Sequence, residues 1–274
     1  MPPNRVAEHS TPFPRSDALD STRVRAIIGD MSSAIAIAIS NLAIDSDIAN
    51  YQWIDRGVAP IGYLRGMAVT FGRVYCKMNV SRDAASEMSM ADSGDGSVDA
   101  LAWYATEFTD LGMDNSVAGV EVLRHLFVML TGLGMRESSG KHCEGRDTSA
   151  TNTTAETAEA GLFQVSYNSR RAHFLLEALF DQYKGKTDFA DIFSDGVTCG
   201  AASWQNFGAG TGHDFQALTK ACPAFAVEYG ALALRKVRKH WGPINRKSAE
   251  VRPECDELFK TVCAHIDRNG ITEV

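Results

Sequence analysis

The sequence predicts a mainly α-helical fold, and three observations support this prediction. Apolar residues recur at intervals of three and four in long stretches such as 59–79 and 116–136, which places them on one face of a helix. The residues DNSV at 114–117 supply helix caps before the second stretch. A Gly-, Asp- and Ser-rich break at 90–97 separates the two. The position of any small sheet stays open.

The helices follow in order along the chain. The segment 19–46 contains SAIAIAIS, whose alternation would suit a strand, but its alanine content and flanks favour a helix. The segment 145–160 is rich in Ser, Thr, Ala and Asn and predicts a loop. We divide the chain into an N-terminal helical extension, 1–97, and a second domain, 98–274. Further helices are predicted at about 59–79, 98–112, 116–136, 168–184, 214–240 and 249–268.

Composition excludes several classes of function. The formal charge is −7, and no basic stripe alternates with aromatic residues, so nothing favours nucleic acid as a partner. No segment approaches the roughly 20 apolar residues of a membrane span. The first 25 residues lack the basic and then apolar profile of a signal peptide.

The chain contains six cysteines and no CxxC pair. An even count allows two or three disulfides, but we expect reduced, partly buried thiols. The cysteines are Cys76, Cys143, Cys199, Cys222, Cys255 and Cys263.

The segment GMRESSGKHCEGRD, 134–147, carries the most chemistry and has three interpretations. The first is a phosphate-binding loop. Five residues separate Gly134 from Gly140, whereas the motif requires four. Lys141 is followed by His142 instead of Ser or Thr, and the preceding residues predict a helix instead of a strand. These departures argue against phosphate binding.

The second interpretation is a metal site. The segment offers His142, Cys143, Glu144 and Asp147 as ligands, and Cys with His suits zinc. However, adjacent residues seldom point at one ion, and no second Cys/His pair lies at zinc-finger spacing. A solvated loop with a buried or bridged Cys143 is the favoured alternative, so we predict no metal and no cofactor.

The third interpretation is a catalytic acid. Glu137 falls at the end of a helix whose apolar face includes Leu123, Phe127 and Leu130, where its side chain can leave the core and face a cleft. A Glu beside an apolar wall keeps its proton because desolvation disfavours the carboxylate. A general acid requires that property. Taken alone, a Glu at a helix end is usually a solvated surface residue.

Four segments in one order strengthen the third interpretation: RESSG (136–140), AEAGLFQVSYN (158–168), WQNFGAGTG (204–212) and PAFAVEYGALALR (223–235). Over about 116–240 the chain resembles the lysozyme-like superfamily, specifically the goose-type lysozymes and soluble lytic transglycosylases of glycoside hydrolase family 23. Glu137-Ser138-Ser139 matches the first element and Gly161-Leu162-Phe163-Gln164 the second. In the third, Asn206 and Gly208 match but Gln205 replaces a Tyr. In the fourth, Phe225 or Tyr229 could match the aromatic residue.

The resemblance implies a lysozyme-like helical domain with a cleft. It implies a glycosidase, either hydrolase or lytic transglycosylase, that cleaves β-1,4-linked N-acetylamino-sugar polymers, with peptidoglycan first and chitin second. Glu137 would protonate the glycosidic oxygen, and the amides of Gln164 and Asn206 would line the saccharide groove. For each of the aromatic residues Phe163, Tyr167 and Trp204, core packing is favoured over contact with a sugar ring. The full substrate-binding set is Ser138, Gly161, Phe163, Gln164, Tyr167, Asn168, Trp204, Asn206 and Tyr229.

A second carboxylate separates the two reactions. An inverting hydrolase needs one about 6.5–9.5 Å from the acid to activate water. A lytic transglycosylase can instead close the sugar's own 6-hydroxyl onto C1. Asp147 is the candidate base, with a surface loop acid as its alternative, and Glu144 is a poorer one. Glu156 and Glu159 lie nearer the turn, and Ser166 stands where the family has another Asp.

Two other classes of function stay open. One is a catalytically silent lysozyme-like domain that binds glycan, and the other is a helical interaction module. Retention of Glu137 favours the enzyme, whereas the altered third element favours binding. A wall enzyme would act outside the cytoplasm, being secreted, periplasmic or delivered, with a delivery or immunity partner. The sequence leaves the oligomeric state open.

Overall fold

The computed structural model describes residues 33–78, 83–146 and 153–274. These residues confirm the predicted mainly α fold. The segment 33–41 is helical, as predicted for SAIAIAIS, while 19–32 lies outside the described residues. The α-helices are α1 (33–41), α2 (Ile61–Met78), α3 (Ala84–Met88), α4 (Ala100–Trp103), α5 (Ala105–Asp110), α6 (Val120–Ser138), α7 (Phe174–Tyr183), α8 (Ala190–Phe193), α9 (Thr211–Ala221), α10 (Pro223–Lys236), α11 (Gly242–Asn245) and α12 (Pro253–Asn269).

A short antiparallel hairpin supplies the β structure of the described residues. Strands β1 (Gln52–Trp53) and β2 (Gly57–Val58) pair with Gln52 opposite Val58. Short 3₁₀ segments lie between the helices at Asp47–Asn50, Tyr167–Ala172, Ala201–Trp204 and Arg238–His240. None of the described helices has both the length and the apolar character needed to cross a bilayer.

Helix α6 is the centre of the core. It packs against α2, α10 and α12, and side chains on all of its faces are buried, as expected for a helix enclosed by neighbours. Two glycines permit the close approach: a Cβ at Gly132 would overlap the carbonyl of Glu250, and one at Gly134 would overlap the hydroxyl of Tyr63. That hydroxyl donates to the carbonyl of Thr131 at 2.7 Å. Helix α2, which lies within the predicted N-terminal extension, shares this core and contributes to the surroundings of α6.

The helix predicted at 214–240 is two helices in the structure. Cys222, with φ −124° and ψ 80°, interrupts it between α9 and α10. Pro223 explains the break, because proline has no N–H to continue the hydrogen-bond ladder and disfavours helical geometry in the residue before it. The chain therefore turns between α9 and α10 at this point.

A buried charge network joins α2, α7 and α10. Glu228 is 2% exposed and lies 3.1 Å from both Arg73 Nε and Lys77 Nζ. Tyr183 donates its hydroxyl to the same carboxylate at 2.8 Å. Burial acts to raise the pKa of Glu228, but the two cations outweigh it and the pKa is lowered. The carboxylate is therefore ionised and fully partnered.

Replacing Glu228→Gln is expected to lower the free energy of unfolding by about 3 kcal/mol, because it removes the buried counter-charge of Arg73 and leaves that guanidinium with the more exposed Asp188 at 2.9 Å. The matched control is Glu87→Gln. Glu87 pairs with Lys236 at 2.7 Å and is partly exposed, so its loss should cost less than about 1 kcal/mol. Urea denaturation of both variants measures the difference. Equal midpoints for the two would contradict the prediction.

Candidate active site

Glu137 lies in the last turn of α6 and is half-buried. The helix ends there because Ser139 adopts a left-handed conformation, φ 54°, followed by Gly140 at φ 75°. The amide of Ser139 donates to the carbonyl of Met135 at 3.1 Å, and that of Gly140 to Gly134 at 3.2 Å. These bonds satisfy carbonyls that a helix end otherwise leaves unpaired, so the helix end is fixed beside the acid.

Ser138 ties this helix end to the turn that carries the second sequence motif. The side chain is buried, and its hydroxyl oxygen lies 2.8 Å from the carbonyl oxygen of Leu162 and 3.0 Å from that of Gly134. The motifs RESS and GLFQ are thus in direct contact, although Ser138 and Leu162 are 24 residues apart in the sequence. Ser138 therefore acts as a link within the protein.

The turn at 160–165 is held on two sides. Ala160 and Val165 form an isolated β-bridge, and the amide of Gly161 donates to the carbonyl of Glu144 at 2.8 Å. Gly161 has φ 75°, and a Cβ there would lie 3.0 Å from the carbonyl of Thr219. Both the conformation and the close contact require glycine.

Gln164 is buried and anchors the turn to the 141–146 loop. Its Nε2 donates to the carbonyls of Gly145 at 3.0 Å and Gly161 at 3.1 Å. With both amide hydrogens used inside the protein, the donors predicted to meet a sugar are already committed. Gln164 shapes the turn in this conformation.

The surroundings of Glu137 raise its pKa and so favour the protonated carboxyl. Burial, and next the negative charge of Glu159, raise its pKa to about 7. The cations Arg246, Arg56 and Arg136 act in the opposite direction and are outweighed. Glu137 therefore keeps its proton to a higher pH than an exposed glutamate does.

Glu159 is the carboxylate that the described residues bring to Glu137. Its Oε1 lies 3.7 Å from Nε2 of His240, and that nitrogen lies 3.2 Å from the carbonyl oxygen of Gln164. Burial lowers the pKa of His240, against the effect of this hydrogen bond. His240 is therefore neutral near pH 7, and its N–H faces the carbonyl and the carboxylate together.

The 3₁₀ turn Ala201–Trp204 and the loop that follows it present the aromatic and polar residues of the third motif. Trp204 is 43% exposed, and Asn206 is half-buried with its Oδ1 lacking a hydrogen-bond partner. Lys220 fixes this loop by donating to the carbonyls of Ser203 and Gln205 at 3.0 and 2.8 Å. Burial lowers the pKa of Lys220 to about 8. Trp204 is therefore open to a ligand, whereas the unpaired Oδ1 of Asn206 is buried beneath the surface of this loop.

A disulfide joins the 141–146 loop to the same region. Cys143 and Cys199 are bonded, so the expectation of reduced thiols is wrong for this pair. The bridged alternative for Cys143 is the one observed. The expectation holds for the other cysteines, which are free and buried: Cys76, Cys222, Cys255 and Cys263.

The remaining predicted binding residues lie in or near the core. Phe163 and Tyr229 have no exposed surface, and Tyr167 is 6% exposed. The carbonyl of Phe163 accepts from Trp241 at 2.7 Å, while Tyr229 packs against Phe215 and Phe225. These contacts give the three aromatic residues the core-packing role in the described conformation.

One further predicted binding residue and the predicted carboxylates differ in their surroundings. Asn168 is half-buried, and its Oδ1 accepts from Ser166 at 2.7 Å. Glu144 is half-buried beside the turn, whereas Asp147 lies outside the described residues. The sequence places Glu159 near the turn without distinguishing it from the other acids there. Its position two residues before Gly161 could have indicated its role, because the turn at 160–165 folds back onto the end of α6.

The chain matches no protein-family model, and no curated protein or solved structure matches it.

Replacing Glu137→Gln is expected to stabilise the protein at alkaline pH. The pKa of Glu137 is raised from 4.5 to about 7 in the folded protein. The protonated carboxyl therefore makes its full contribution to the free energy of unfolding below pH 4.5, and this contribution is lost as pH rises through about 7. Glutamine carries no charge and avoids this loss, which is at most about 3 kcal/mol.

Urea unfolding between pH 4 and 9 measures the gain. The control is Glu156→Gln, since Glu156 is an exposed acid paired with Arg171. A stability difference between Glu137→Gln and the unsubstituted protein that stays constant across this range would refute the pKa assignment.

Proposed function

We propose that the protein is a glycosidase that cleaves β-1,4-linked N-acetylamino-sugar polymers. Glu137 is its general acid, and peptidoglycan is the first substrate, with chitin second. The observation that carries this proposal is the half-buried position of Glu137 at the end of α6 beside the 160–165 turn, where burial raises its pKa to about 7. A helix-end acid in water would have lost its proton at neutral pH, whereas this one retains it in part.

The proton of Glu137 would pass to the glycosidic oxygen as the C1–O bond breaks. Half-burial supports this role, because a partly desolvated carboxyl is a weaker acid in its resting state and a ready donor to a developing alkoxide. The nearby cations Arg56, Arg136 and Arg246 then stabilise the carboxylate that remains. Burial thus favours the protonated carboxyl before the reaction, and the cations favour the carboxylate after it.

The negative charge of Glu159 offers a second catalytic group. In a hydrolase it would take a proton from the attacking water while the hydroxide adds to C1. His240, close to Glu159 Oε1, would position that carboxylate. In a transglycosylase no water enters, and Glu137 itself would recover a proton from the sugar's 6-hydroxyl. Asp147, suggested by the resemblance, is the competing base.

The charges around the acid support peptidoglycan ahead of chitin. Arg56 and Arg246 are exposed near Glu137, on a protein whose overall charge is −7. Peptidoglycan carries carboxylates on its peptides, whereas chitin is uncharged. A local cationic surface on an acidic protein therefore complements the first polymer.

Glu137→Gln is expected to abolish cleavage, with a loss of about 10²–10⁴-fold. Purified protein is incubated with peptidoglycan and, separately, with chitin, and the soluble products are analysed by mass spectrometry. Reducing ends indicate a hydrolase and anhydro-sugars a transglycosylase. Glu156→Gln, which alters a surface acid, should leave the products unchanged. Absence of any Glu137-dependent product from either polymer would leave the binding or interaction module.

Glu159→Gln is expected to lower turnover and to shift the alkaline limit of activity to lower pH, because it removes a charge that raises the pKa of Glu137. Asp147→Asn serves as the comparison. If Asp147 is the base, its variant loses hydrolysis while Glu159→Gln keeps near-normal turnover. An unshifted alkaline limit in Glu159→Gln would show that the two carboxyls do not interact.

A further inference from the structure

Three metal-ligating side chains meet where the 141–146 loop contacts the loop after α8. The ligand atoms of His142, Cys143 and Cys199 all lie within 4.8 Å of one another. Cys143 and Cys199 are 56 residues apart in sequence, so the fold brings them together. This cluster is separate from Glu137 and is not used in the proposed reaction.

The hydrogen bonds of His142 determine which of its ring nitrogens is free to bind. Nδ1 lies 3.1 Å from the carbonyl oxygen of Lys220. A carbonyl only accepts, so Nδ1 carries the hydrogen and Nε2 carries a lone pair. Nε2 faces Cys199 Sγ at 3.7 Å and Ser194 Oγ at 3.3 Å. Metal-binding histidines are oriented in this manner, with the second nitrogen donating to a carbonyl.

Burial and access also suit a metal. His142 is 3% and Cys143 1% exposed, while Cys199 is half-buried and Ser194 exposed. The ring of Trp204 lies 5.9 Å from that of His142. Two sulfurs and one nitrogen in a largely dry site, with one side open to solvent, match the three protein ligands plus water that zinc accepts.

We propose that the reduced protein binds one zinc ion through His142 Nε2, Cys143 Sγ and Cys199 Sγ, with water as the fourth ligand. A dithiol supplies the two electrons that break the sulfur–sulfur bond and is itself oxidised to a disulfide. The two new thiols lose their protons when the metal binds. Disulfide and zinc exclude each other at this site.

Either form links residues 143 and 199. Cys199 lies two residues before the 3₁₀ turn Ala201–Trp204, and Cys143 follows the acid-bearing helix end. The loop that presents Trp204 is thereby held in oxidising surroundings by the disulfide and in reducing surroundings by zinc. This proposal replaces the expectation of no metal, and it does not depend on the glycosidase proposal.

Cobalt(II) provides the test, because thiolate ligation gives charge-transfer absorption and tetrahedral geometry gives intense visible bands. The full chain is reduced with a phosphine, and Co²⁺ is added. We expect both signals at one metal per chain, and their loss when an equivalent of Zn²⁺ displaces the cobalt. The oxidised chain should show neither signal.

Alkylation locates the ligands without any substitution. In the reduced chain, Zn²⁺ should protect Cys143 and Cys199 from a maleimide, as read by peptide mass spectrometry, and should not change the labelling of Cys76. His142→Gln should weaken binding by more than the roughly 10- to 100-fold cost of losing an outer partner. Cys76→Ala, a free cysteine outside the cluster, should bind normally.

Two results would overturn the proposal. The first is a reduced chain that gives no thiolate–cobalt absorption. The second is absorption that persists at full intensity in the Cys143→Ala/Cys199→Ala double variant, which would assign it to the other cysteines. Circular dichroism of each variant verifies that the helices are retained.

Discussion

The arrangement of the candidate site depends on one hydrogen bond, from the hydroxyl of Ser138 to the carbonyl of Leu162. This bond holds the end of α6 against the 160–165 turn. Because the bond is buried, breaking it would leave the carbonyl of Leu162 without this donor, while the Ser138 hydroxyl would keep the carbonyl of Gly134. Glu159 precedes this turn directly, and Gln164 lies near its end. Beside this contact, burial and next the negative charge of Glu159 raise the pKa of Glu137.

Much of the helical framework can be predicted from the sequence. Apolar spacing identifies α6 and α12, and the alanine-rich SAIAIAIS stretch proves helical despite its alternation. The position of Glu137 at a helix end follows from the same pattern, because the Ser-Ser-Gly after it ends the apolar run. Pro223 was visible in the sequence, yet long apolar runs on both sides concealed the break at Cys222. Continuous periodicity outweighed a residue that is also common in the first turn of a helix.

The finer details of the site depend on tertiary contacts that no local pattern encodes. Phe163 and Tyr229 occur in segments that resemble sugar-binding motifs, but aromatic residues serve cores and ligand surfaces equally well by composition. Only packing shows that both are buried. Cys143 and Cys199 could not be paired from spacing, since six cysteines allow many pairings. Glu159 was one of several acids near the turn, and only the fold of the turn selects it.

The glycines of α6 have a consequence for how this protein can be altered. Replacing a helical glycine by alanine normally favours the helix by about 1 kcal/mol. At Gly132 and Gly134 the added methyl would collide with the backbone of Glu250 and the side chain of Tyr63. A glycine-to-alanine substitution at either position would therefore displace helix α6, which carries Glu137. Efforts to raise thermal tolerance should leave this helix untouched and modify peripheral segments. Natural variation in α6 should face the same restriction, with bulk excluded at these two places whatever the chemistry of the cleft.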